Sequence, residues 1–123
     1  MSARTVAEKA RVGPGARIAL VDPVPGIVDS LGLVEPRFVG LPEAQLVFLF
    51  ATSRARLAEE LPAVVAALAP GAAVWVFFRK GSSAAGLDMN RNDVWAAAER
   101  LGMRPLGLVS VDATWSAFRL RPA

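Results

Sequence analysis

The chain has 123 residues, of which 54% are hydrophobic, so it can supply the core of one ordinary domain. It contains no Cys, His or Tyr, which excludes disulfides, thiolate nucleophiles and nearly all transition-metal sites, and removes the commonest general base near neutral pH. The net charge of +3 is too small to indicate nucleic-acid binding by itself, and neither a signal peptide nor an apolar run of about 18 residues is visible. We therefore expect a cytoplasmic protein with a single domain over residues 1–123, no metal and no membrane contact.

The first part of the chain alternates short apolar strands with short helices. In chain order, the pattern predicts a helix at 5–11, a strand at 16–21, a helix at 27–33, a short strand at 37–39 and a strand at 45–51. Residues 45–51 are nearly all apolar. Such a run is typical of a strand covered on both faces, as in a parallel sheet.

The second part begins with a helix predicted at 54–68. Its buried face falls at helical spacing and comprises Leu57, Leu61, Val64, Val65 and Leu68. Pro62 interrupts this pattern and either kinks the helix or begins a second turn. The strand predicted at 73–78 is the most apolar in the chain, and we expect it at the centre of the sheet.

The last helix has a clear beginning. Asn90 can cap it, Asp93 lies three residues later, and Met89 can pack on Val94. Strands follow at 106–111 and 116–120, and their connection is too short for a parallel crossover, so they pair as an antiparallel hairpin. Apolar strands that alternate with amphipathic helices predict an α/β fold, with a mostly parallel sheet covered by helices on both faces.

The layout resembles that of the methyltransferases that use S-adenosylmethionine. Residues 13–22 (GPGARIALVD) look like the approach to their first strand, and residues 68–72 (LAPGA) look like the turn before their central strand. The final antiparallel hairpin is also typical of them. The resemblance implies a three-layer Rossmann-like sheet in the order 2-1-3-4-6-5, with strand 6 antiparallel and strands 3 and 4 side by side in the middle.

The cofactor motifs of those enzymes are missing from this chain. Their glycine-rich loop after the first strand is replaced by residues 22–26 (DPVPG), in which two prolines contribute no N–H group. Their acidic residue at the end of the second strand is replaced by Val39 and Gly40. We therefore expect no cofactor, and we expect S-adenosylmethionine not to bind.

A second resemblance is to an uncharacterised bacterial Rossmann-like family, domain of unknown function 3052. It rests on residues 50–57, on Trp75 ahead of residues 80–83 (KGSS), on residues 87–88 and on residues 112–116. The family has Pro before that Lys, whereas this chain has Arg79, which makes the loop more basic. The resemblance supports the fold and leaves the activity open.

Two basic loops follow neighbouring strands, where ligands of open α/β sheets bind. One has Ser53 and Arg54 at the beginning of a helix, and the other has Arg79, Lys80, Ser82 and Ser83. Ammonium, guanidinium and hydroxyl groups near a helix N-terminus suit an anion. The alternatives are that Ser53 only caps the helix, that Arg54 is solvated, and that residues 79–86 form an ordinary surface loop.

Asp22 is the remaining candidate for ligand binding, as a base or a ribose acceptor. Alternatively, it caps the turn that Pro23 begins. We identify no catalytic residue. The favoured hypothesis is a non-catalytic module that binds a small anionic ligand, a protein partner or a second copy of itself. The alternatives are a divergent methyltransferase-like enzyme and a nucleic-acid accessory protein. Single-strand binding requires exposed aromatic residues on a basic sheet face, and the sequence shows no such pattern.

Overall fold

The computed structural model describes residues 5–10, 12–24, 26–80 and 89–122. The strands are β1 (Arg17–Val21), β2 (Arg37–Phe38), β3 (Leu46–Phe50), β4 (Ala73–Arg79), β5 (Met103–Ser110) and β6 (Trp115–Pro122). The helices are α1 (Val6–Lys9), α2 (Ile27–Ser30), α3 (Arg54–Ala67) and α4 (Arg91–Arg100), and a 3-10 turn spans Leu41–Glu43. Every predicted helix and strand is present, with bounds that differ by a few residues.

The six strands form one sheet in the order β2-β1-β3-β4-β6-β5. β1 pairs with β2 and β3 in parallel, and β3 pairs with β4 in parallel, with Val47 opposite Val74. β6 runs antiparallel between β4 and β5. The predicted order, the antiparallel sixth strand and the central β3–β4 pair are confirmed.

Successive side chains of β4 pack alternately in two buried cores, one on each face of the sheet. Val74, Val76 and Phe78 pack in one core with residues of α3 and α4. Trp75 and Phe77 pack in the other core with residues of α1 and α2. This alternation explains why the whole of β4 is apolar, since both faces of a central strand must be covered.

The caps of α3 and α4 follow from local sequence. Ser53 accepts a hydrogen bond from the backbone of Arg56, and Asn90 and Asp93 form the predicted reciprocal capping box. α3 is one helix that includes Pro62, so the proline neither ends the helix nor begins a second one. Pro62 itself is exposed.

The helix predicted at 27–33 is shorter in the structure, where α2 stops at Ser30. Gly32 adopts a φ of +74°, and a Cβ atom at this position would lie 2.6 Å from the Cβ atom of Thr5. The chain therefore turns where α1 approaches, and only glycine fits there. Among the described residues, no helix is long and apolar enough to cross a membrane.

Candidate functional site

β3 and β4 are parallel and therefore end at the same edge of the sheet, but the cations that follow them lie in different surroundings. Arg54, on α3, contacts the carboxylate of Asp93 on α4, with 3.4 Å between Nη2 and Oδ1. It lines a small cavity of about 200 Å³ between these two helices. Ser53 caps α3, which is the role that the alternative hypothesis assigned to it. The structure therefore directs Arg54 towards α4.

Lys80 is held by the β5–β6 hairpin. Its Nζ atom donates to the Ser110 hydroxyl at 2.6 Å and to the Asp112 carbonyl at 2.5 Å, and its backbone N–H donates to the Thr114 carbonyl at 2.7 Å. Because these acceptors are neutral oxygens, the hydrogen bonds fix the ammonium group without neutralising its charge.

A cleft of about 270 Å³ brings Arg79 and Lys80 together with the beginning of α4. The lining residues are Phe78, Arg79, Lys80, Asn90, Arg91, Asn92, Leu108 and Ser116. They come from the carboxyl end of β4, from the first turn of α4 and from the hairpin. Ser82 and Ser83, which the sequence placed with them, lie outside the described residues.

The described lining of the cleft carries positive charge. Arg79, Lys80 and Arg91 line it, and no carboxylate is among the described lining residues. Two carboxylates near the cleft, among the residues that the structure describes, have other partners: Asp93 contacts Arg54 and the backbone of Asn90, and Asp112 accepts from two backbone N–H groups of its own turn. The positive end of the α4 dipole adds to the field in the cleft.

Ser116 is a buried polar residue in this cleft, with 7% of its surface exposed. A hydroxyl can both donate and accept a hydrogen bond, so Ser116 adds a polar group to the wall of the cleft.

A second cavity of about 480 Å³ adjoins this cleft, and the two share Arg91, Asn92 and Leu108. It lies between α4 and β5, and the remaining lining residues are Trp95, Pro105, Leu106, Gly107 and Phe118. Arg91 and Trp95 are one helical turn apart and so share a face of α4. Trp95 is partly exposed and does not belong to the buried face of α4, and this position is the signal in the sequence that points to the cavity.

Asp22 lies apart from these cavities, at the carboxyl end of β1. It adopts a φ of +52°, and its carboxylate is 3.3 Å from the Arg56 guanidinium. Glu60 lies beside it, one helical turn after Arg56, and its Oε1 atom is 3.4 Å from the Arg56 Nε atom without a hydrogen bond. Burial and the neighbouring Asp22 carboxylate raise the pKa of Glu60 to about 7, and Arg56 only partly offsets them.

This acidic pair was missed by the sequence analysis. The i,i+4 spacing of Arg56 and Glu60 is visible locally, but the approach of Asp22 from β1 is a tertiary contact. Among the described residues, no group of three acidic side chains could hold a metal ion.

The fold is similar to those of several solved proteins. DhpI, in a complex with SAM and HEP, has a TM-score of 0.61 at 13% identity over 95% of this chain and 84% of DhpI. A TehB-like SAM-dependent methyltransferase from Corynebacterium glutamicum has a TM-score of 0.54 at 15% identity over 94% of this chain and 85% of the other. LepI, in a complex with SAM, has a TM-score of 0.55 at 15% identity over 95% of this chain.

This chain spans only 39% of the length of LepI. No family model and no curated protein sequence matches it. The structural neighbours thus include SAM-dependent methyltransferases, and at identities this low the likeness establishes a methyltransferase-like Rossmann fold and no activity.

Proposed function

We propose that the chain is a non-catalytic Rossmann-like module that binds a small anion in the cleft between β4 and α4. The observation that carries this proposal is a cleft lined by three cations and, among its described lining residues, by no carboxylate. An anion there gains from the guanidinium groups of Arg79 and Arg91, from the ammonium group of Lys80 and from the helix dipole. The Ser116 hydroxyl supplies a further donor.

The test compares thermal unfolding in phosphate with unfolding in chloride at equal ionic strength. For the unmodified chain, phosphate at ten times its Kd stabilises the folded state by roughly 1.4 kcal/mol. That stabilisation corresponds to a Tm increase of about 5 °C for a chain of this size. Replacement of both cleft arginines, as Arg79→Gln with Arg91→Gln, is expected to abolish the increase, because the two donors that can bind an anion bidentately are removed.

The matched control is Arg104→Gln with Arg121→Gln. These two arginines are exposed, face each other across β5 and β6, and do not line the cleft. The control removes the same net charge, so it should retain the phosphate effect. Equal loss of stabilisation in both double variants would contradict a defined site and indicate only a general response to net charge.

We also infer that the chain is a member of domain of unknown function 3052 and that residues 1–123 form one domain. The quoted phrases around residues 50–57, 80–83 and 112–116 support the membership. The continuous six-stranded sheet supports the single domain.

A methyltransferase-like enzyme is the second candidate, and the structural neighbours that carry SAM favour it. The residues of this chain do not fit that cofactor. Asp22, at the carboxyl end of β1, is paired with Arg56, and β2 is followed by Val39 and Gly40, which offer no carboxylate for a ribose. Affinity for S-adenosylmethionine therefore distinguishes the two candidates.

A further inference from the structure

We propose that the ligand is an amphipathic anion, in which a flat apolar body fills the cavity between α4 and β5 while an anionic group lies in the adjoining cleft. This inference rests on the proposed anion site and specifies the rest of the molecule that binds there. It depends on the adjacency of the two cavities, whose linings share Arg91, Asn92 and Leu108.

The α4–β5 cavity is built from apolar side chains that are unusually exposed. Trp95 is 45% exposed, Leu106 49% and Leu108 44%. The buried ring of Phe118 meets Trp95 edge to face, with 5.8 Å between the ring centroids. A single exposed apolar side chain is normal on a protein surface, whereas several large ones side by side commonly mark a binding site.

A β-bulge helps to form this wall. Pro105 pairs with Leu120 and Gly107 pairs with Arg119, so Leu106 is an extra residue without a partner on β6. Bulges redirect side chains and are often found beside functional sites. Leu106 and Leu108 consequently both line the cavity opposite Trp95.

The distribution of charge decides the kind of occupant. At the α4–β5 end, Arg91 is the only charged residue among the described lining residues. At the other end, Arg79 and Lys80 join it. An occupant with an apolar body and one anionic end matches this gradient, and a volume of about 480 Å³ suits a small molecule.

The experiment uses the full chain and three probes: 2-naphthoate, its neutral analogue 2-naphthylmethanol, and acetate, which carries the anion alone. Binding is followed by the amide and indole signals in proton–nitrogen correlation spectra. 2-Naphthoate is expected to shift the Trp95 indole signal and the amides of Arg91, Leu106 and Leu108. Removal of roughly 55 Å² of apolar ligand surface from water corresponds to about tenfold in Kd, so naphthoate should bind at least about tenfold tighter than acetate.

Two variants assign the apolar contribution. Leu106→Ser should weaken naphthoate binding several-fold and leave the phosphate stabilisation unchanged. Val34→Ser is the matched control, because Val34 is similarly exposed (57%) and does not line either cavity.

Several results would overturn the inference. One is a naphthoate Kd equal to that of acetate while phosphate still stabilises the chain, which would leave the anion site intact without its apolar extension. Others are equal affinity for naphthylmethanol and naphthoate, or signal changes confined to residues outside the two cavities. If the unmodified chain bound neither phosphate nor naphthoate, the proposed function would be overturned as well.

Discussion

At the residue scale, the most unusual group is the carboxyl of Glu60. Its side chain is 15% exposed, it faces Asp22 from β1, and it has Arg56 and Glu59 as charged neighbours on its own helix. Burial disfavours its charged form, and the protonated form can donate a hydrogen bond to the Asp22 carboxylate. Its pKa is therefore raised to about 7.

This raised pKa predicts how stability depends on pH. Between the ordinary glutamate value of 4.5 and about 7, Glu60 binds more protons in the folded chain than in the unfolded chain. The free energy of unfolding contributed by this group therefore decreases as the pH rises through that window. Glu60→Gln should remove the decrease and make the chain more stable than the parent about one pH unit above the shifted value, as measured by urea denaturation from pH 4.5 to about one unit above the shifted value.

Glu99→Gln is the matched control for this change. Glu99 is an exposed glutamate on α4 and lines neither cavity. It should reproduce the pH profile of the parent chain. A Glu60→Gln profile with the same slope as that of the parent would show that Glu60 titrates like an ordinary glutamate.

At the element scale, the beginning of α4 connects stability with the site. The Asn90 side chain accepts hydrogen bonds from the backbone of Asn92 at 2.9 Å and of Asp93 at 3.3 Å, and the Asp93 carboxylate accepts one from the backbone N–H of Asn90 at 2.9 Å. The same turn carries Arg91 into both cavities. The capping box thus fixes the position of the cation that the two cavities share.

We expect Asn90→Ala to lower the free energy of unfolding by about 1 kcal/mol, because the cap is lost. Asn92→Ala is the control, since the Asn92 side chain has no hydrogen bond among the described residues and surface changes of this kind usually lie within about 0.5 kcal/mol. Chemical denaturation measures the free energy of unfolding of both variants, and we expect their m-values to equal that of the parent chain. Equal effects of the two substitutions would mean that the cap does not stabilise α4.

At the scale of the whole molecule, the sheet order matches that of methyltransferase-like proteins. The residues that follow β1 and β2 in the sequence nevertheless lead us to expect no binding of S-adenosylmethionine. Similar folds carry different functions, because function depends on the side chains at the loops.

The corresponding prediction is that isothermal titration calorimetry detects no binding of S-adenosylmethionine tighter than about 1 mM, which corresponds to about −4 kcal/mol. Adenosine serves as a control for the nucleoside alone. A Kd in the micromolar range would contradict this prediction and favour the methyltransferase-like candidate.

The sequence alone determined the helices, the strands and the faces that they bury. The apolar run over β4, the spacing of Leu57 and Leu61 on α3, and the Asn90–Asp93 pair at α4 are local patterns. Such patterns constrain secondary structure and the buried face directly, because their periodicity and capping chemistry operate within a few residues. The order of the strands then followed from the resemblance to methyltransferases.

Only the tertiary structure decided which functional groups meet. The sequence placed Arg54 and Lys80 at one edge of the sheet, but Arg54 contacts Asp93 on α4, and Lys80 contacts Ser110, thirty positions away. The α4–β5 cavity and the Asp22–Glu60 contact are likewise formed by elements that are distant in sequence. Long side chains at the ends of elements take their direction from the surfaces packed beside them, and those surfaces exist only once the chain has folded.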